Sequence, residues 1–361
     1  DDNAELLYDA CDQCRFGNLV CFMQEHESEL HGLLEYNTSL FNKKRIQAMI
    51  CAFKTLIKNI SEHPEQPARA IPLITAAQYQ AMQSKWNQPK RSYPNKLNLL
   101  ACFSEQVTAR AHSLAIVHNS SHISYDELDK LSNQLARALQ KEGVHHEVAV
   151  GIFLENNLSR VIAMLGILKA GGCYVPLETD SPVYRTSNII KDSKLLFIIT
   201  DNTAHLHKIS EHHPEIKSIL ITKNSLQSES NAPVLNTTTP KQLAYIMYTS
   251  GSTGNPKGIE IEQAGILRLV KSPNYIDINP KDCIAQTSSF LFDASTFEIW
   301  GALLNGATLN LIDKEILLEK QSLTKAIKDK KISILFLTTQ LFHAYAHLAP
   351  DLFQSLRYVV V

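Results

Sequence analysis

Glycine is scarce in this chain, at 13 of 361 residues, and an excess of charge of either sign is missing. Lys and Arg number 35 against 36 Asp and Glu, so the formal net charge is −1. A chain so balanced has no field to draw nucleic acid or an anionic membrane surface, and neither is expected as a partner. No apolar run is long enough to span a bilayer, and the N-terminus carries no signal-peptide pattern, which points to a cytoplasmic protein. Cysteine is sparse and odd in number: Cys11, Cys14, Cys21, Cys51, Cys102, Cys173 and Cys283. That fits reduced, mostly buried thiols and excludes a disulfide framework. Cys11-Asp-Gln-Cys14 lacks the second ligand pair of a zinc site and the context of a redox site, so it is read as structural. His145-His146 and His212-His213 precede no catalytic or metal pattern and are read as solvated loop residues. No metal site in the protein itself is expected.

Against this scarcity, three glycines fall within the eleven residues Tyr248-Thr-Ser-Gly-Ser-Thr-Gly-Asn-Pro-Lys-Gly258. Glycine serves where backbone turns sharply or approaches a ligand closely. Thr249, Ser250, Ser252 and Thr253 add hydroxyl donors, successive loop N–H groups can form an anion-binding concavity, and Lys257 adds a point charge suited to phosphate. The apolar run Leu243-Ala-Tyr-Ile-Met-Tyr248 before it reads as a short buried strand. A phosphate-gripping loop on a strand end is what nucleotide chemistry needs. It is not a Walker A loop, because Lys257 stands between Pro256 and Gly258. The alternative is a Ser/Gly-rich surface turn.

Two regions are expected. In residues 1–75, Leu19-Val-Cys-Phe-Met23 is an apolar run and residues 29–37 are strand-like. Asn42-Lys-Lys-Arg45 then opens a helix. Its Ile46, Met49, Ile50, Phe53, Leu56, Ile57 and Ile60 follow the spacing of a buried face. Two strands and one helix are too little for an independent core, so the chain is expected to begin within a fold. Residues 76–96, with Pro89, Pro94 and polar neighbours, read as a linker. From residue 97 onward apolar strands alternate with helices, as in 125–139 followed by 148–154 and 159–170, the last stopped by Gly171-Gly172. This alternation predicts an α/β fold whose parallel sheets are covered on both faces.

The loop at 248–258 resembles the phosphate-binding signature of the adenylate-forming enzymes. Three further segments resemble that family's signatures in the expected order. They are Ile123-Ser-Tyr-Asp-Glu-Leu128 with Ala136-Arg-Ala-Leu139, Leu168-Lys-Ala-Gly-Gly-Cys-Tyr-Val-Pro-Leu177, and Phe292-Asp-Ala-Ser-Thr-Phe-Glu-Ile-Trp300. The resemblance covers residues 76–361 and is to the adenylation domains of non-ribosomal peptide synthetases. It implies the large N-terminal part of such a domain over 97–361, cut before its C-terminal end within an apparent buried strand, Tyr358-Val-Val-Val361. Residues 1–75 resemble the C-terminal end of a condensation domain, through Leu33-Leu-Glu-Tyr-Asn-Thr-Ser-Leu-Phe41, Pro64-Glu-Gln-Pro67 and Ile71-Pro-Leu-Ile74. That family's His-His-x-x-x-Asp-Gly motif is absent, so no catalysis is assigned there.

The resemblance implies activation of an amino acid with ATP and Mg2+, giving aminoacyl-adenylate and pyrophosphate. Transfer to phosphopantetheine on a carrier domain follows, with a condensation domain of the same synthetase as neighbour. Thr249, Ser250, Gly251, Ser252, Thr253, Gly254 and Lys257 would hold ATP phosphates, with Lys257 and Thr253 acting on the departing pyrophosphate. Asp293 would pair the substrate ammonium; the alternative is a helix N-cap. Ala294, Phe297, Phe336 and Val360 would line an apolar side-chain pocket suited to Ile, Val or Leu, although core packing also explains Phe336 and Val360. The competing expectations are an acyl-CoA synthetase acting on fatty or aryl acids, and a degenerate module serving as a scaffold.

Overall fold

The computed structural model describes residues 17–87, 92–94, 96–221, 226–235, 237–250 and 256–361. Cys11, Cys14 and the loop residues Gly251, Ser252, Thr253 and Gly254 lie outside the described residues. The chain divides into two compact units, 1–90 and 91–361.

In the first unit, strands β1 (Leu19–His26) and β2 (Glu29–Tyr36) pair antiparallel, from Leu19 opposite Tyr36 to His26 opposite Glu29. Their two-residue turn, Glu27 and Ser28, has φ of 47° and 72° at its two positions. Two positive φ values match the right-handed twist of the strands. Helix α1 (Lys43–Glu62) starts at Asn42, whose side chain accepts from the Arg45 N–H. Only Ile46 of its apolar stripe is buried, whereas Met49, Phe53, Ile57 and Ile60 are exposed. The buried face expected from the spacing is therefore not formed, because a hairpin and a helix supply too little surface to cover it. Within the linker region residues 76–86 are helical: α2 (Ala76–Gln80) is opened by a Thr75–Gln78 capping box and runs into a π-helical turn, Ala81–Trp86.

The second unit has the expected α/β architecture of helix-flanked parallel sheets. Its helices are α3 (Leu99–Arg110), α4 (Tyr125–Glu142), α5 (Asn157–Ala170), α6 (Val183–Asp192), α7 (Thr203–His212), α8 (Gln263–Val270), α9 (Ala294–Asn305), α10 (Lys314–Leu318), α11 (Lys320–Asp329) and α12 (Thr339–Leu348). The first sheet contains β5 (Ala149–Phe153), β6 (Cys173–Pro176), β7 (Phe197–Thr200), β8 (Lys217–Leu220), β9 (Leu243–Ser250) and β10 (Pro256–Glu262) in the order β10-β9-β6-β5-β7-β8. The second contains β3 (Leu114–His118), β4 (Ser121–Ser124), β11 (Cys283–Gln286), β12 (Thr308–Leu311), β13 (Ile334–Phe336) and β14 (Tyr358–Val360) in the order β14-β13-β11-β12-β3-β4. Neighbours are parallel except at one edge of each sheet, where β10 and β4 run antiparallel. Both edge reversals follow directly from a short return of the chain onto its predecessor, which a parallel crossover cannot make.

The strands β5, β6 and β7 are buried almost throughout and mostly apolar because both their faces are covered. The main core includes side chains from α3, α4, α5, α8 and α9. Helix α4 begins with a capping box, the Ser124 N–H donating to Glu127 Oε2 at 2.8 Å. Helix α5 ends at Gly171, whose φ of 97° is the left-handed cap that glycine adopts without strain. Strand β14 is half-buried at a sheet edge, not fully buried as expected.

Two expectations about single residues also change. His213 is buried, its Nε2 lying 2.7 Å from Ser187 Oγ and its Nδ1 3.1 Å from Glu215 Oε1, because the end of α7 folds back on α6. Cys21 and Cys51 are exposed, while Cys102, Cys173 and Cys283 are buried. The exposed pair belongs to the unit without a core. Among the described residues no helix is long and apolar enough to cross a membrane.

Candidate active site

The strand ahead of the glycine-rich loop is β9, and its residues Ala244 to Tyr248 are buried. The chain returns as β10, so the loop is the turn of an antiparallel hairpin with Pro256 opposite Ser250 and Lys257 opposite Thr249. Lys257 and Gly258 thus belong to a strand, which the motif alone did not reveal. Thr249 and Lys257 are exposed, facing one another across the mouth of the hairpin. Gly258 is required by packing: a Cβ there would lie 3.0 Å from the Tyr248 ring. That ring is fixed in turn by a 2.6 Å hydrogen bond from its hydroxyl to Asp192. Lys257 is therefore held on a strand whose packing partner is itself fixed.

A cavity of about 200 Å3 lies next to this strand, at the carboxyl ends of β5, β6 and β9, where open α/β sheets bind ligands. Met247 of β9, Tyr174 and Pro176 of the second signature, and Ser289, Phe290 and Leu291 ahead of α9 line it. Arg160 of α5 also lines it. Its guanidinium lies 5.2 Å from the Phe290 ring centre, and its Nε–H donates to the Leu154 carbonyl at 2.7 Å. Burial holds the Arg160 guanidinium below its usual pKa, against the pull of Asp201, Glu155 and Asp180. Beneath the cavity, Tyr174 and Tyr245 stack at 5.4 Å; the Trp300 indole N–H donates to the Tyr174 hydroxyl at 3.2 Å. The Thr296 hydroxyl meets that of Tyr245 at 3.1 Å.

Asp293 occupies the N-cap position of α9 yet makes no side-chain capping bond. The first turn is closed by backbone: the Thr296 N–H donates to the Asp293 carbonyl at 2.9 Å, and Ser295 N–H and Oγ–H both reach the Phe292 carbonyl. The carboxylate is exposed and open to a partner. Ala294 follows at the start of the helix, half-buried, and Phe297 is buried one turn on, 6.3 Å from the Tyr275 ring. Phe336 and Val360 are directly paired on β13 and β14. None of these five residues lines the described cavity. They lie on α9 and the edge of the second sheet, while the glycine-rich hairpin is at the edge of the first.

Motif reading missed Glu298. Its side chain is fully buried, and its carboxylate accepts from the Thr287 N–H at 3.1 Å, the Ser288 N–H at 3.2 Å and the Ser288 hydroxyl at 3.0 Å. Burial pushes its carboxyl up to about 7, against the lowering effect of those bonds. The only sequence signal was an acidic residue inside the apolar run Phe297-Glu-Ile-Trp300. The first signature proves structural instead: Tyr125 is buried and donates to the Ala307 carbonyl at 2.7 Å. The Ser187, His213 and Glu215 series has the distances of a nucleophile relay. Ser187 lies inside α6, however, and does not line the described cavity, so the series is assigned no catalysis. Among the described residues no group of three or more His, Cys, Asp or Glu could hold a metal ion.

Comparison with known proteins identifies the family. Residues 103–361 match the family described as AMP-binding enzyme. Gramicidin S synthase 2 of Brevibacillus brevis is 33% identical over 344 residues, covering 95% of this chain and 8% of that protein. The chain thus spans less than a tenth of the length of that synthase. Among solved structures, the Klebsiella oxytoca NpsA N-terminal subdomain in complex with 3-hydroxybenzoyl-AMSN superposes with a TM-score of 0.65 at 26% identity, covering 73% of this chain and 65% of the other. NpsA-ThdA, an artificially fused adenylation-PCP di-domain from Klebsiella oxytoca, gives 0.66 at 26% identity, over 73% and 52%. With the glycine-rich hairpin and the cavity beside β9 already in view, the chain belongs to the AMP-binding enzymes, and it is similar to adenylation segments of non-ribosomal peptide synthetases.

Proposed function

We propose that this chain activates a branched aliphatic amino acid, forming aminoacyl-AMP and pyrophosphate, before transfer to phosphopantetheine on a carrier domain. The carboxylate of the amino acid attacks the α-phosphorus of ATP, its new P–O bond replacing the bond to pyrophosphate. Positioning and charge stabilisation dominate such chemistry. Lys257 and the loop from Thr249 through Ser250, Gly251, Ser252, Thr253 and Gly254 hold the β- and γ-phosphates and the departing pyrophosphate. Mg2+ bound with the nucleotide would supply charge neutralisation; the exposed hydroxyl and ammonium facing each other at Thr249 and Lys257 fit an anionic partner. Asp293 pairs the substrate ammonium, and Ala294, Phe297, Phe336 and Val360 form the apolar wall. Residues 1–75 are the end of a condensation domain belonging to the same synthetase.

The observation that carries this proposal is the uncommitted Asp293 carboxylate on the segment that borders the cavity, since its capping role is taken by backbone. An aryl-acid substrate is the second possibility, favoured by the 3-hydroxybenzoyl group in the NpsA complex. Such an acid has no ammonium for Asp293 to meet. ATP–pyrophosphate exchange by the complete protein, run against the twenty amino acids and a set of benzoic acids, decides between them. Exchange driven by Ile, Val or Leu is expected. Exchange with benzoic acids alone would assign Asp293 another role, and preference for Glu, Lys or Ser would refute the apolar wall.

A further inference from the structure

Glu298 is a buried acid, and among the described residues no charged group pairs with it. Among those residues its carboxylate meets neutral donors alone, all from the three consecutive residues Gln286, Thr287 and Ser288. Burying an ion without a counter-ion costs several kcal/mol unless hydrogen bonds compensate closely. The donors come from the exit of β11, and the acceptor from the second turn of α9. Between them lies the segment that carries Asp293. That segment is thus closed at its base by one side chain. Asp293 itself has no capping bond to fix it, so its position depends on how the base is held.

The same cluster reaches the opposite wall. The Thr287 hydroxyl lies 3.0 Å from Glu298 Oε1 and 2.8 Å from the backbone carbonyl of Phe336 on β13. A hydroxyl has one proton, so it donates to one of these oxygens at a time. When it donates to the Phe336 carbonyl, the Thr287 N–H still donates to Glu298 Oε1 at 3.1 Å, and the bonds run from α9 through Thr287 to β13. Arg160 adds a second hold on the segment, its guanidinium against the Phe290 ring.

We propose that Glu298 is a positioning residue for amino-acid recognition: with Thr287 it sets the distance between the Asp293 carboxylate and the Phe336 wall. This rests on the assignment of Asp293 and Phe336 as substrate contacts. Glu298 touches no substrate and acts through the segment it ties down. Its replacement should loosen amino-acid binding and leave ATP binding alone, because Lys257 and Thr249 are on β10 and β9 of the other sheet.

The test is pyrophosphate exchange by the complete protein carrying Glu298→Gln or, independently, Thr287→Val, with KM measured for the amino acid and for ATP. Gln keeps the shape but offers one acceptor oxygen in place of two, while Val keeps the β-branch and removes the hydroxyl. The expected result is a rise of about tenfold in the amino-acid KM, with the ATP KM near that of the parent. Thr287→Val decides the matter if Glu298→Gln fails to fold. An unchanged amino-acid KM in the folded variants, or an equal rise in both KM values, overturns the positioning role while leaving amino-acid activation intact. No exchange by the parent with any amino acid would instead remove the assignment of Asp293, and the positioning role with it.

Discussion

At the residue scale, the sharpest physical feature is the buried Glu298 carboxyl, raised to about 7 by desolvation. An acid whose pKa is higher folded than unfolded binds more protons in the folded state between the two values. Stability therefore falls as pH rises through that window, from the ordinary glutamate value toward neutrality. Its ionisation removes roughly 3 kcal/mol across the window by linkage. Glu298→Gln abolishes this single titration. Thermal melts at about pH 5 and about pH 8 should show the variant gaining on the parent at the higher pH. A constant difference between the two proteins at both pH values would show that Glu298 does not titrate in this range.

At the element scale, helices α4 and α5 are joined by one buried cation. Lys169 Nζ donates to Asp129 Oδ1 at 2.7 Å, to Ser132 Oγ at 2.7 Å and to Asn133 Oδ1 at 2.8 Å, and lies 5.5 Å from the Phe103 ring centre. Gly166 permits the close approach, since a Cβ there would meet Leu135 Cδ2 at 2.7 Å. Lys169 falls within the second signature, whose glycines and Pro176 were legible as a motif; the lysine's partners were not. Removing one member of a buried pair strands the other, so Lys169→Met should cost roughly 3 kcal/mol in urea unfolding. The double variant Lys169→Met with Asp129→Leu should recover much of that loss. A single variant as stable as the parent would mean that the pair is fully offset by its desolvation.

At the scale of the whole chain, the two units differ in kind. Among the described residues of 1–90 only Ile46 belongs to the buried apolar set, whereas 91–361 holds the three hydrophobic clusters. Entropy of ordering a chain must be offset by burial, which one side chain cannot supply. A polypeptide of residues 1–90 should therefore melt without a cooperative transition in circular dichroism, and one of residues 91–361 with one. A sharp transition in the shorter piece would show a core that the exposure of Met49, Phe53, Ile57 and Ile60 does not suggest.

The sequence by itself determined the elements and their class. Continuous apolar strands, the helical pattern at 125–139 and the stop at Gly171 are local signals, and each forms the element its pattern predicts. The glycine-rich turn after β9 was legible for the same reason, as a cluster of residue types that few other structures need. Tertiary structure alone decided which distant residues meet. Lys257 faces Thr249 because β10 turns back on β9; Phe336 pairs with Val360 because the crossover through α12 lays β14 parallel beside β13. Glu298 shows the limit most plainly. Its spacing marks it only as an acid on an apolar helix, and its donors arrive from the end of another strand. Periodicity reports which face of an element is apolar, while burial depends on what else the fold brings to that face; α1 has the stripe and lacks the cover.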